Sequence, residues 1–507
     1  MPRLICLVAV ALIAAHGAAA KFKVIREWRY INFTWPASDT YETAVRRGAY
    51  VPENVVVAGI KYHDGFYYLT LPRMKEGVPA TLARVPASAP DTAPLLTPYP
   101  SWEMNAIGDC DALQNVQNVE IDPNKGQIWI IDGGRTETMG LRPVVKCKPK
   151  LVVYDVAKND AVLTYSFPEH VASVNGSFLY DIVVDNTGDG YAYVTDNSGR
   201  DPGIIVFSVR DHHSWKIRHA QSMKADPRAV YFAVNGVAVS AAINVASIAL
   251  GLRDYPGVES RPVFYAPLSS LHLYSINSSA LRNEGFADGD FQGQVTDYGL
   301  KESQSVGMTM DNRGVLYYSL LGSNSIARWN FSTPFVTGQK IIAKDERYLE
   351  WTNSLTFDDA GNLTLLVNRL QRFIYGRLDL REPNFRLISA NVGAKGYLYD
   401  DQLYNVATST TTSTTPEPQD TTDHSEEDPV ALPPGSDQDP YMAPQPVPEE
   451  PQPEPTTSPE TEPTAEPEPS PTEAVEVTGS PKAQVSAGVR ATVGPWFLVA
   501  AVVLGAA

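Results

Sequence analysis

Cysteine and histidine are scarce, three and eight in 507 residues. No histidine is spaced to complete a zinc site with the cysteines, and there is no G-x-S-x-G, no H-E-x-x-H and no glycine-rich phosphate loop. Hydrolysis through a serine elbow, zinc proteolysis and phosphate-cradling chemistry drop out as readings. Lysine and arginine are absent from Asp400 to Ser480, a stretch that carries 19 acidic residues. The formal charge of −17 belongs to that stretch, because the other 39 acids face 41 bases. A basic patch for nucleic acid is therefore missing. So is an apolar run of the roughly 20 residues that a spanning helix needs.

What is present is a repeated grammar. Leu179 to Gly199 holds an apolar run (Ile182 to Val184), an acidic glycine-rich turn, an alternating run (Tyr191 to Thr195) and a second polar turn. That is the pattern of two antiparallel strands. Stretches of the same form begin at Val116, Ser305 and Thr352; a weaker one begins at Val55 and a degenerate one spans Gly236 to Leu268. Six copies some 50 to 70 residues apart, each with further strands behind the inner pair, predict an all-β six-bladed propeller over residues 21–400. One small sheet cannot bury both faces, whereas six around an axis can. In the fourth unit Val237 to Leu252 could pass for a helix, but its place in the period predicts the inner strand pair, with third and outer strands starting at Arg261 and Leu271. In the sixth unit the third and outer strands are expected from Arg372 and Phe385. Phe22 to Trp35 alternates enough to pair with the last blade and close the ring, which would remove exposed strand edges.

The ends read differently. Residues 1–20 have one early arginine, an apolar run from Leu4 to Ala15 and an A-x-A end, the form of a secretory leader cleaved near Lys21. Cys6 leaves with it, and Cys110 and Cys147 are then expected to pair in an oxidising compartment, the alternative being two free buried thiols. N-x-S/T sequons stand at Asn32, Asn175, Asn277, Asn330 and Asn362. Residues 401–485 are rich in Thr, Pro, Glu and Ser, with too little apolar surface to offset ordering entropy, so a disordered mucin-like acidic stalk is expected. From Ser486, small residues, a short spacer and an apolar end from Trp496 to Ala507 match a glycolipid-anchor signal with Ser486 as the attachment residue.

In an antiparallel blade the residue entering the innermost strand and the residue leaving the second strand lie at one end. Applied to the repeats, this gathers Asn115, Asp181, Ser305 and Asn353 with Asp132, Asp196, Asn324 and Asn368 around one mouth of the channel. Asp and Asn at strand ends are also ordinary turn formers. Their convergence on one axis is what suggests a site for a polar or cationic small molecule, with Asp181 or Asp196 meeting an amine and Tyr180 and Phe373 stacking on a ring. No cofactor is expected beyond a weak calcium site built from Asp181 and channel amides. His63, His212 and His213 fall in hydrophilic turns and are expected to face water.

Several ordered segments resemble one family. Tyr99 to Gly134 has a Y-P-S-W start, a G-x-C and a strand ending in W-x-x-D-x-G, and the blocks beginning at Cys147, Phe178, Ala192, Glu302 and Asn384 follow in the same order. Over Val24 to Asp400 the chain resembles the major royal jelly and yellow proteins. The resemblance implies a secreted six-bladed propeller, among whose members are carriers of biogenic amines, pigmentation proteins and dopachrome-converting enzymes. Amine-binding members place small polar residues at the start of the last inner strand and an asparagine at the end of its neighbour. Those positions are Asn353 and Asn368 here, with Leu370 where an aromatic is usual, and Lys125 replaces a family cysteine. The expected function is extracellular binding of a small aromatic amine or catechol derivative, with membrane contact only through the lipid anchor. The alternatives are dopachrome tautomerisation, with Asp181 or a channel histidine as proton carrier, and a structural or adhesive surface glycoprotein.

Overall fold

The computed structural model describes residues 21–400, apart from 187, 254–259, 288–290 and 292. The leader, the stalk and the anchor signal at Ser486 lie outside the described residues. Six four-stranded antiparallel sheets form the blades. The innermost strands are Gly59–His63, Val116–Asp122, Leu179–Asp185, Val245–Leu250, Met308–Met310 and Trp351–Phe357 for blades 1 to 6. Each packs against its two neighbours, and the sixth against the first, so the ring closes. Every residue of the innermost strands of blades 2, 3 and 6 is buried. The outermost strand of blade 2, Asp160–Ser166, instead alternates between exposed and half-buried positions. This gradient is why the inner strands read as apolar runs and the outer ones do not.

The seam is made as expected. Lys23–Trp28 pairs antiparallel with Phe385–Asn391 and supplies the outermost strand of blade 6. The Cys110–Cys147 disulfide is formed and ties the segment entering blade 2 to the segment before its third strand, Lys150–Asp155.

Two strand expectations need correction. Val237 to Leu252 is strand, turn, strand, but not one hairpin of blade 4. Val237–Ser240 pairs backwards with Tyr231–Val234, and Val245–Leu250 pairs forwards with Pro262–Pro267. The turn of the first hairpin is Asn235-Gly236, both residues at positive φ (45° and 75°), which is the geometry that a two-residue hairpin of right-twisted strands requires. Pro262–Pro267 and His272–Asn277 are thus the second and third strands, and Val295–Leu300 is the outermost. In blade 6, Leu370–Phe373 is a single helical turn, so the third strand is Phe385–Asn391 and the amino-terminal strand takes the outer place.

Candidate functional site

Four of the six innermost strands carry a register irregularity near their start: between Val116 and Val119, Leu179 and Asp181, Val245 and Ser247, and Thr352 and Ser354. A bulge leaves its extra residue out of the ladder and re-aims the side chains around it. The freed carbonyls are taken up by the preceding blade: Thr70 Oγ1 donates to Gln117 O at 2.8 Å and Thr195 Oγ1 to Ala246 O at 2.6 Å. The bulges also place Asn118, Asp181 and Asn353 at the axis.

At the axis, Lys61, Asn118, Glu120, Asp181, Thr309 and Asn353 face one another with Tyr397. The gap between them has room for about one water molecule. Lys61 Nζ is 2.8 Å from Glu120 Oε2. Asp181 Oδ1 accepts from Asn118 Nδ2 at 2.7 Å and from its neighbour Ile182 N, and Oδ2 accepts from Ile248 N at 3.4 Å. Burial raises the Asp181 pKa to about 7, against the opposing pull of the Lys61 charge and with a push from Glu120. A carboxyl that is half protonated near neutrality can meet an ammonium ion or carry a proton.

Both ends of the channel are covered. At the lower mouth, where the inner strands end, the segment Gly396 to Tyr399 lies across the opening. Tyr397 Oη accepts from Val184 N at 3.0 Å and lies 3.3 Å from Glu120 Oε2, while Asn124 Nδ2 donates to Leu398 O. At the upper mouth, Tyr180, Trp351, Leu370, Phe373, Val234 and Val239 pack into one buried cluster, with Phe178 and Phe232 against it. This roof is latched by side chains. Lys75 Nζ donates to Phe373 O and Gly376 O at 2.8 and 2.6 Å, over the Phe373 ring, and Tyr375 Oη accepts from Ser240 N at 2.8 Å.

The residues expected to ring the upper mouth divide into two sets. Asn115, Asp132, Asp196 and Asn368 are spent on the framework. Asp132 accepts from Gln114 N, Asn115 N and Gly134 N, and Asp196 from Phe178 N, Ser198 N and Lys216 Nζ. Asn115 accepts from Arg73 N and donates to Arg135 O, and Asn368 donates to Val57 O and accepts from Leu370 N. The second set is not consumed in this way. Asp181 and Asn353 line the axis. Asn353 accepts from Trp351 Nε1 and donates to Ala58 O, and burial pushes the pKa of the Tyr180 phenol up. Ser305 Oγ and Asn324 Oδ1 are buried without a protein partner, as are Gln117 Oε1, Ser247 Oγ, Thr352 Oγ1 and Gln371 Oε1, so unsatisfied hydrogen-bonding capacity collects where the inner strands begin.

Sequence reasoning missed Lys61, Asn118, Glu120, Thr309 and Tyr397. Lys61 and Glu120 were visible as charges inside otherwise apolar strands, a signal that a partner must be near. Among the described residues no group of three or more His, Cys, Asp or Glu side chains is placed to hold a metal ion.

The model of the family described as "Major royal jelly protein" matches residues 114–396. Protein yellow of Drosophila madeirensis is 26% identical over 391 residues, covering 76% of this chain and 68% of its own. Dopaminechrome tautomerase of Drosophila melanogaster is 27% identical over 391 residues, covering 74% of this chain and 82% of its own. A solved luciferin-regenerating enzyme aligns at 10% identity over 68% of this chain and 94% of that one, with a TM-score of 0.40, a likeness that carries no functional weight. With a family model spanning more than half of its 507 residues, this chain belongs to the major royal jelly protein family, which also holds protein yellow and dopaminechrome tautomerase.

Proposed function

We propose that this protein is an extracellular propeller that takes a small aromatic amine or catechol-type molecule at the upper mouth of its channel. The observation that carries the reading is Asp181, a carboxyl buried at the axis with a pKa of about 7, beneath an aromatic roof of Tyr180, Trp351 and Phe373. An ammonium group gains most from a carboxylate that water does not already satisfy, and an aromatic ring packs best against other rings. The free hydrogen-bonding capacity of Ser305 and Thr352 suits catechol hydroxyls. Because the axial gap is water-sized, binding requires the roof to lift. Calorimetry with serotonin, dopamine, octopamine and histamine tests the proposal. Saturable heat from at least one amine, weakened tenfold or more by Asp181→Asn, is the expected result, and no heat from any of them removes it.

The second reading is proton transfer within an aminochrome. Two observations favour it: the same near-neutral carboxyl, and the similarity to the relative named dopaminechrome tautomerase. It requires faster loss of dopaminechrome or dopachrome absorbance than with heat-treated protein; equal decay rates count against it. Cleavage of residues 1–20, glycan on exposed sequons, the acidic stalk and anchoring through Ser486 belong to the same picture of display at the cell surface. Release of intact protein by phosphatidylinositol-specific phospholipase tests the anchor.

A further inference from the structure

The cleft beside the amino-terminal strand is lined by Glu27, Trp28, Tyr30, Asn32 and the segment Thr92 to Leu95. Two large apolar side chains there are about half open to water. Tyr30 is 43% exposed and Leu95 51% exposed. The walls are nonetheless fixed: Glu27 N donates to Thr92 O, Trp28 Nε1 to Pro94 O and Leu96 N to Asn32 O, each at 2.9 Å. Asn32 has its carboxamide held in one orientation. Oδ1 accepts from Phe33 N at 2.8 Å and from Trp35 Nε1 at 2.9 Å, and among the described residues no acceptor takes Nδ2. The attachment nitrogen is thereby turned away from the aromatic cluster of Phe33, Trp35 and Trp102. Asn362 is the opposite case. Its Nδ2 donates to Asp358 Oδ2 at 2.7 Å and its Oδ1 accepts from Asn391 Nδ2 at 3.0 Å, so the side chain stitches the turn between the first two strands of blade 6 to the third.

We propose that Asn32 carries an N-linked glycan whose first N-acetylhexosamine lies in this cleft against the Tyr30 ring, and that Asn362 stays unmodified. The donor is an oligosaccharide on a lipid diphosphate. Asn32 Nδ2 loses one proton and bonds to sugar C1 while the C1–O bond breaks and the lipid diphosphate leaves with the electron pair. The C–H face of a pyranose is apolar, and an exposed tyrosine two residues before the asparagine offers it a flat apolar surface that water otherwise covers. The bound sugar covers Tyr30 and Leu95 together, and pins the amino-terminal strand to the first blade.

Protein secreted from a eukaryotic host settles the matter by glycopeptide mass spectrometry and melting. Asn32 is expected to be occupied in most molecules and Asn362 in almost none. Tyr30→Ser is expected to lower Tm by about 2 °C in glycosylated protein and by far less once the sequon is removed by Asn32→Gln or, should that variant not fold, by Thr34→Ala. A bare Asn32, a substantially occupied Asn362, or the same Tyr30→Ser shift with and without the sequon would each overturn the proposal.

Discussion

Glu120 of blade 2 lies between the ammonium of Lys61, 2.8 Å away on blade 1, and the phenol of Tyr397, 3.3 Å away on the segment that follows blade 6. Three parts of the chain thus meet on one buried carboxylate, Tyr397 coming from 277 residues beyond Glu120. With Ile121 N donating to its other oxygen at 2.9 Å, protein partners have taken the place of water around it, which makes the group costly to orphan. Lys61→Met is expected to destabilise the protein by about 3–5 kcal/mol, because an unpaired charge then stays buried. The double variant Lys61→Met/Glu120→Gln should recover most of that loss. Urea unfolding at pH 7 measures both.

Asp181 sets a pH dependence with a definite sign. Its folded pKa, about 7, lies above the ordinary carboxyl value of 3.8, so between those values the folded state holds more protons than the unfolded one. The contribution to stability is whole below about pH 4 and is lost as pH rises through about 7. Asp181→Asn should therefore raise Tm at pH 8 and leave it nearly unchanged at pH 4. If an amine binds the carboxylate, its affinity should fall about tenfold per pH unit below 7 in the native protein and stay flat in the variant, which calorimetry at a series of pH values checks.

The roof predicts a kinetic effect. Tyr375 is 46% exposed, and its hydroxyl is the polar tie to Ser240 on the hairpin that helps to cover the upper mouth. Tyr375→Phe should change stability by no more than about 1 kcal/mol but speed ligand association several-fold. Stopped-flow fluorescence of the mouth tryptophan, Trp351, reads the rate, and an unchanged rate would mean that ligands enter elsewhere.

Replacing both Cys110 and Cys147 by serine opens a loop with a sequence separation of 37. In the chain-entropy account the loss is about 3–4 kcal/mol. A fall in Tm of several degrees without loss of amine binding is expected, because the bridge lies outside the axial cluster.

Much of the fold was legible because a blade's inner pair has its own short-range code. Apolar run, acidic turn and alternating run recur wherever the inner strands fall, and Phe22 to Trp35 alternates enough to be read as the seam, of which Lys23–Trp28 forms the strand. The fourth unit was misread because Val237 to Leu252 is almost all apolar or small residues and offers no period to arbitrate. The deciding signal was the Asn235-Gly236 pair just before it, which is turn chemistry for a hairpin reaching backwards. At the axis, the positions of Asp181 and Asn353 were legible from their place in the repeat. Lys61 and Glu120 were not, because their pairing joins two blades and depends on a bulge near Gln117 that composition does not announce. Asn115 and Asp196 looked equally suitable in sequence; only three dimensions reveal how many backbone amides each has to satisfy.

The strand Lys23–Trp28 finds its partner in Phe385–Asn391, some 360 residues later. During synthesis the first β-structure to leave the ribosome therefore has no mate until nearly the whole propeller has been translated. The circle cannot lock one blade at a time; it must be held open, with an unpaired ribbon at its start, until the final sheet arrives. Premature termination anywhere before residue 385 would leave that ribbon permanently free, and such fragments should be retained by chaperones rather than exported.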